Sequence, residues 1–310
     1  MHNHEHHGHS HEHDIQGVSG ARLLYVVFLN LLITVSEFVG GLISGSLALL
    51  SDSLHNLSDV SSIIISYVAH KVSQRSANER NTFGYNRARI MAAFINSTML
   101  LIIVAFLFKE AVERLVSPQS IDVKIVILIG TIGLVANLLS MFFLREHSKG
   151  DMNVKSAYLH MLSDSLSSVA VILGAVVIYY FRINWLDAIL TMTIALYIAK
   201  ESLEIFLRSV DILMQSAPKN VDIDELVSRV KELSDVENIH HVHIWNLDDK
   251  TIFLEAHVNL KEDISVSKSM VIQKDIEKVL SEFGINHVTL QFEYNGCPNC
   301  NVISHGINQN

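Results

Sequence analysis

The chain is short of cysteine, of charge, and above all of positive charge. Two cysteines in 310 residues exclude a disulfide-stapled scaffold. Only 18% of the residues are charged against 49% hydrophobic, which disfavours the ordinary soluble pair of domains that length alone would suggest. Acidic residues exceed basic ones to leave a net charge of -9, which argues against nucleic acid as the partner, because phosphate binding is driven by Lys and Arg. The first apolar run is expected to stay as a helix and not to act as a cleaved leader: it is too long for one, and the stretch before it is acidic and His-rich rather than basic. What the chain does have is a concentration of apolar residues between Leu23 and Leu207, with a polar segment at each end. It also has 17 histidines, seven of them within the first 13 residues.

A bilayer core about 30 Å thick needs about 20 helical residues. Six segments reach that length: Leu23 to Ile43, Ser46 to Val72, Ile90 to Val116, Val123 to Leu144, Ala157 to Phe181 and Trp185 to Leu207. The second is interrupted by Ser51, Asp52, His55, Asn56, Ser58 and Asp59, and the fifth by His160, Ser163, Asp164, Ser165, Ser167 and Ser168. An ionised residue at mid-bilayer costs about 2.5–3.5 kcal/mol on insertion scales, so these two helices belong inside the bundle rather than against lipid. With the N-terminus inside, the inner connections hold Lys71, Arg75, Arg80, Arg87, Arg89, Arg145, Lys149, Lys155 and Arg208, and the outer ones mainly Arg114, Lys124 and Arg182. That excess predicts both termini on the cytoplasmic side.

His55 and Asp59 are four residues apart, as are His160 and Asp164, which puts each pair on one helix face, one turn apart. Two such helices facing each other would offer two imidazole nitrogens and two carboxylates, a set suited to tetrahedral Zn²⁺. Two uncompensated carboxylates would cost about 5–7 kcal/mol on the insertion scale, whereas structural zinc returns about 10–16 kcal/mol. A shared metal therefore explains the repeated pattern better than hydrogen-bonded packing does. Asp52, one turn before His55, reads equally as a tuning or pore-lining residue and as a cap, and Glu37 as a polar contact between helices.

The stretch Gly45 to Asp59, the loop Phe83-Gly-Tyr-Asn-Arg87 and the stretch Ala157 to Asp164 together resemble the cation diffusion facilitator family of metal efflux transporters, from about Leu23 to Glu293. The resemblance implies that His55, Asp59, His160 and Asp164 form the transport site, of the zinc-preferring type. It implies zinc leaving the cytoplasm in exchange for protons by alternating access, in a homodimer. Ligand chemistry agrees, since imidazole must be neutral and carboxylate ionised to hold zinc, so metal and protons displace one another. One departure stands out. Two residues after Arg87 the family usually has Glu, and this chain has Arg89, so charge pairing in the loop must differ. Residues 72–89 hold no His, Cys or Asp, so no tight second site is expected there.

Beyond Pro218 the pattern predicts a helix over Asp222 to Leu233, strands over His241 to Asp248 and Thr251 to Leu260, a helix over Val266 to Phe283 and a strand over His287 to Glu293. The expected fold class is thus an all-α six-helix membrane domain (21–208), followed by a cytoplasmic α-β-β-α-β domain (209–295) that the resemblance makes metallochaperone-like and dimerising. A His-rich tail (1–20) and a terminal segment (296–310) complete the expected organisation. Period-two geometry puts His241 and His243 on one strand face, with His240 and His257 nearby. The resemblance implies a regulatory zinc site at His243 and His257, with further partners near Gln291 and Glu293, of which Gln291 is a poor ligand. Cys297 and Cys300 supply half a tetrahedral site, read as a metal clip, and in some family members the tail folds back across the dimer. His2, His4, His6, His7, His9, His11 and His13, interleaved with other residues, read as a native metal-collecting segment rather than an expression tag.

The resulting expectation is a proton-coupled exporter of Zn²⁺, and of Cd²⁺ or Co²⁺ where geometry allows. Its partners would be divalent ions, protons, the lipid bilayer and a second copy of the chain, in a bacterial plasma membrane. Two other classes compete: a membrane-embedded zinc metalloenzyme, which would need an open metal position and a nearby base, and a metal sensor that moves no ions.

Overall fold

A computed structural model describes residues 20–145, 152–296 and 301–302. The His-rich tail, Cys297 and Cys300 lie outside the described residues, and His160 is described only as a position on its helix. The chain forms two compact units: one holds residues up to Val68 together with Ile95–Ile205, and the other holds Ala69–Phe94 together with the chain from Phe206 onward.

Six long helices come first, α1 (Gly20–Ser44), α2 (Leu47–Ser73), α3 (Ala88–Val116), α4 (Val123–Arg145), α5 (Met152–Phe181) and α6 (Trp185–Leu213). The last continues past 208, where the sequence places a boundary, because nothing that breaks a helix occurs before Gln215, whose φ is 58°. Within α3, α4 and α5, the stretches Ala88–Val116, Val123–Phe142 and Met161–Phe181 are long and apolar enough to cross a membrane by length and composition, and a shorter apolar stretch covers Asn30–Ser44. Large apolar side chains such as Ile43, Phe106, Phe142 and Leu166 stand exposed on these helices, as lipid-facing surfaces would require.

Contacts between neighbouring helices fix their directions. Gly41 of α1 packs against the backbone of Leu50 in α2, and one turn earlier in α1 Glu37 accepts a hydrogen bond from Asn56, further along α2, at 3.0 Å. Those two helices are therefore antiparallel. Gly40 meets Ile129 while the Glu37 carboxylate lies against Gly133, so α4 also opposes α1 and runs with α2. A side chain at 133 would occupy the space of that carboxylate, which is why glycine stands there. Since α4 and α5 are joined by residues 146–151 and pack together, α5 runs against both α4 and α2.

In the other unit, α7 (Ile223–Lys231), β1 (Val236–Asn246), β2 (Ile252–Leu260), α8 (Val266–Glu282) and β3 (His287–Tyr294) form the anticipated α-β-β-α-β order. Asp222 caps α7 by accepting the N–H groups of Asp224 and Glu225 at 3.0 and 3.1 Å. The sheet runs β1-β2-β3, with β1 antiparallel and β3 parallel to β2. Leu254, Ala256, Val258 and Leu260 turn one face of β2 into a core with Leu226, Val230, Ile276 and Leu280 of the two helices. The opposite face of β2 carries Phe253, Glu255, His257 and Asn259, as the period of two dictates.

Candidate metal centres

The first centre lies where α2 meets α5. Asp52 of α2 accepts hydrogen bonds from Ser167 at 2.6 Å and Ser168 at 3.4 Å, both on α5. Because the helices are antiparallel, moving three residues along α2 and three back along α5 sets His55 level with Asp164. One further turn sets Asp59 level with the position of His160. The two His-x-x-x-Asp pairs are thus in register, each imidazole position opposite the other helix's carboxylate. Within α2, His55 Nε2 lies 3.6 Å from Asp59 Oδ2, and these side chains are 17% and 23% exposed. Asp164 is buried at 3% exposure. Glu37 and Asp52 are as deeply buried, and Glu37 lies within electrostatic range of Asp52 and Asp164. Its two serine donors make Asp52 a tie between α2 and α5, one turn from His55.

The start of α2 is held from outside the helix. Ser46 accepts the N–H of Leu49, and its hydroxyl donates to Asp187 of α6 at 2.6 Å. The same carboxylate accepts the N–H groups of Leu47 at 2.7 Å and Ala48 at 3.4 Å. Two side chains thereby satisfy three of the orphan donors of that helix end. Arg114 of α3 donates to the carbonyl of Gly45 in the same turn.

The second centre lies on the sheet. Ligand atoms of His240, His257 and Glu293 all stand within 4.8 Å of one another. Glu293 bridges the two imidazoles, with Oε1 2.8 Å from His257 Nδ1 and Oε2 3.4 Å from His240 Nε2. Donor atoms around tetrahedral zinc stand about 3.3 Å apart, given metal–ligand bonds of about 2.0 Å, so this triad fits such an ion with little movement. Asn238 Oδ1 lies 2.9 Å from His240 Nδ1, a contact that suits the tautomer with its proton on Nδ1, which leaves Nε2 to a metal. Burial holds the His240 imidazole below its ordinary value, against the opposing pull of Glu293, and so favours the neutral form that a metal needs. Gln291 donates to Glu293 Oε1 at 3.0 Å and orients the carboxylate instead of ligating.

His243, expected in this site, is not in the group; His240 takes its place. The cause is a bulge in β1: His240 pairs with His257 and His243 with Glu255, so β1 spends one more residue than β2 between these pairs. His241 takes φ 53° there, and its ring stacks on His257 with centroids 4.8 Å apart, while His243 lies 5.0 Å from His241. The N–H of Val242, released from the ladder, donates to Val302 at 2.9 Å. Gly296 donates to Asn259 Oδ1 at 3.1 Å, so the described residues on either side of 297–300 are both anchored to this sheet. One sequence signal for the bulge existed. Ile239 and Val242 are apolar at a spacing of three, out of step with a period of two, and both enter the same core.

A bundle of apolar helices carrying an in-register pair of His-x-x-x-Asp motifs, followed by a small α+β domain, fits a membrane transporter of metal cations rather than an enzyme. Comparison with known proteins makes the family definite. Residues 23–214 match the cation efflux transmembrane domain, and residues 218–295 match the dimerising cytoplasmic domain of cation efflux proteins. The chain is 34% identical over 84% of its length to a cadmium, cobalt and zinc/H⁺-K⁺ antiporter of Bacillus subtilis, covering 84% of that protein. It is also 34% identical to the zinc transporter ZitB of Escherichia coli, over 91% of this chain and 90% of that one. To the metal cation efflux system protein CzcD of Cupriavidus metallidurans it is 33% identical, over 87% and 85%. The chain belongs to the cation diffusion facilitator family, and it is a metal cation efflux transporter.

Proposed function

We propose that the chain exports zinc from the cytoplasm in exchange for protons, through one site built from His55, Asp59, His160 and Asp164, with cadmium and cobalt as alternative cargo. The observation that carries this reading is the antiparallel register of α2 and α5, anchored at Asp52 and Ser167, which sets both His-x-x-x-Asp pairs at one level. Two imidazoles and two carboxylates form a closed tetrahedral set with no position left for a reacting water, which favours carriage over hydrolysis. Binding zinc requires neutral His55 and His160; when the site turns to the other side, protons on these imidazoles weaken the set and release the ion. The similarity to the Bacillus subtilis zinc/H⁺-K⁺ antiporter supports the coupling.

All six long helices cross the plasma membrane in this reading, with both termini in the cytoplasm and two copies joined through the α+β domains. His240, His257 and Glu293 hold a regulatory zinc that binds three strands together; the fourth position is available to Cys297, Cys300 or the histidines at 2–13. The test is zinc uptake by proteoliposomes holding the full chain. Uptake that follows an imposed pH gradient and stops when the gradient is collapsed is expected; uptake indifferent to the gradient refutes proton exchange.

A further inference from the structure

The connection between α2 and α3 is a built element. Asn78 Oδ1 accepts the N–H groups of Arg80 at 3.0 Å and Asn81 at 2.8 Å, and the amides of both asparagines donate to the Tyr85 hydroxyl, at 2.9 and 3.0 Å. So held, the loop presents Phe83 edge-on to Phe253 of β2, with ring centroids 5.5 Å apart. Phe253 is itself stacked on Trp245 of β1 at 5.5 Å and tilted against His287 of β3 at 4.3 Å, so one ring gathers all three strands. In the first turn of α3, Arg89 donates to Asp249 at 2.7 Å and lies 3.9 Å from Asp248. Asp248 accepts the N–H groups of Lys250 and Thr251 at 2.9 and 2.8 Å, so this carboxylate pair sits on a fixed turn. Arg89 and Asp249 are 23% and 22% exposed, which limits screening of the pair by salt.

The far end of the same strand row holds the metal triad. Phe253 and His257 lie on one face of β2, four residues apart, about 13 Å along the strand. A metal drawing His240, His257 and Glu293 together therefore acts on the sheet that bears on Phe83 and Arg89 at its other end. We propose that Arg89 is a positioning residue, the contact through which the metal triad acts on α3 and so on transport; this rests on the regulatory reading of the triad given above. Phe83 supplies the apolar half of the contact, and the Arg89 charge fixes its register against the turn.

The test measures two quantities on the full chain: zinc flux into proteoliposomes at saturating zinc, and zinc bound per chain. His240→Ala is expected to bind one zinc fewer and to lower flux about fivefold, the low end of couplings between sites. Arg89→Asp is expected to lower flux as much while binding the same zinc as wild type. Combining His240→Ala with Arg89→Asp should cost no more than either alone, and pairing Arg89→Asp with Asp249→Arg should restore most of the flux. Arg89→Gln removes the charge and leaves a shorter, neutral side chain; it replaces the reversal if that fails to fold, with the same non-additivity expected. Losses that multiply in the combined variant, or no recovery in the double reversal, overturn the proposal and leave the regulatory reading standing. Wild-type flux in His240→Ala, with one zinc fewer bound, overturns that reading and the proposal with it.

Discussion

Asp187→Ala isolates the device that starts α2. The carboxylate is 4% exposed and accepts a short bond from Ser46, a second from the N–H of Leu47, and a longer one from Ala48 at 3.4 Å. Truncation leaves the Ser46 hydroxyl and one well-aligned N–H buried and unpaired. Two bonds to a charged acceptor at about 1.5 kcal/mol each give a loss of about 3 kcal/mol, a lower bound if both donors stay dry. For a chain of this size that corresponds to a fall in melting temperature of about 6–12 °C. Asp187→Asn retains one acceptor oxygen and should lose about half as much. Asp122→Ala serves as the contrast, because Asp122 caps α4 from an exposed position and should cost about 1 kcal/mol. The assay is thermal unfolding of the purified chain in detergent, followed by intrinsic fluorescence. Melting of Asp187→Ala within 2 °C of wild type, taken as about the error of the method, or a larger loss in Asn than in Ala, refutes the reasoning.

Three further outcomes follow from the sheet site. Glu293→Gln removes the bridging charge, and one ligand's share of about 10–16 kcal/mol over four ligands, about 2.5–4 kcal/mol, predicts about a 70-fold or greater loss of zinc affinity there by calorimetry. Gly296→Ala places a Cβ against the Glu293 carboxylate, and displacement of that ligand should weaken the same site about tenfold. The third concerns pH. Because burial lowers His240 from its ordinary 6.5, the folded domain binds that proton less readily than the unfolded chain. Its contribution is therefore complete above the ordinary histidine value and is lost as pH falls below it. Melting of the chelator-treated protein should drop between pH 7.5 and 5.5, values bracketing about 6.5, by more in wild type than in His240→Gln; equal slopes refute the assignment.

Helix positions were legible because a bilayer demands length and apolarity, which sequence displays directly. The two His-x-x-x-Asp pairs were legible for a related reason: ionisable residues that would be penalised in lipid stand out against their surroundings. What sequence spacing could not supply was the register between α2 and α5, which depends on Ser167 and Ser168 meeting Asp52 across the bundle. Nor could strand alternation assign the sheet histidines, since one extra residue at His241 exchanges His243 for His240. Arg89 marked its place by departing from the family pattern, yet its partner Asp249 lies 160 positions away and only the fold brings them together. The apolar span read from sequence stops at Leu207 while α6 runs on to Leu213, because polar residues such as Arg208 and Asp211 interrupt apolarity without ending a helix.

The most direct measurement is anomalous scattering at the zinc edge from the full chain loaded with zinc, for wild type and for the variant combining Asp59→Ala with Asp164→Ala. A wild-type peak is expected between α2 and α5, level with His55 and Asp164 and absent from the variant, with the peak beside Glu293 present in both. Zinc at the sheet alone, or a peak between the helices that survives loss of both carboxylates, contradicts the proposed transport site.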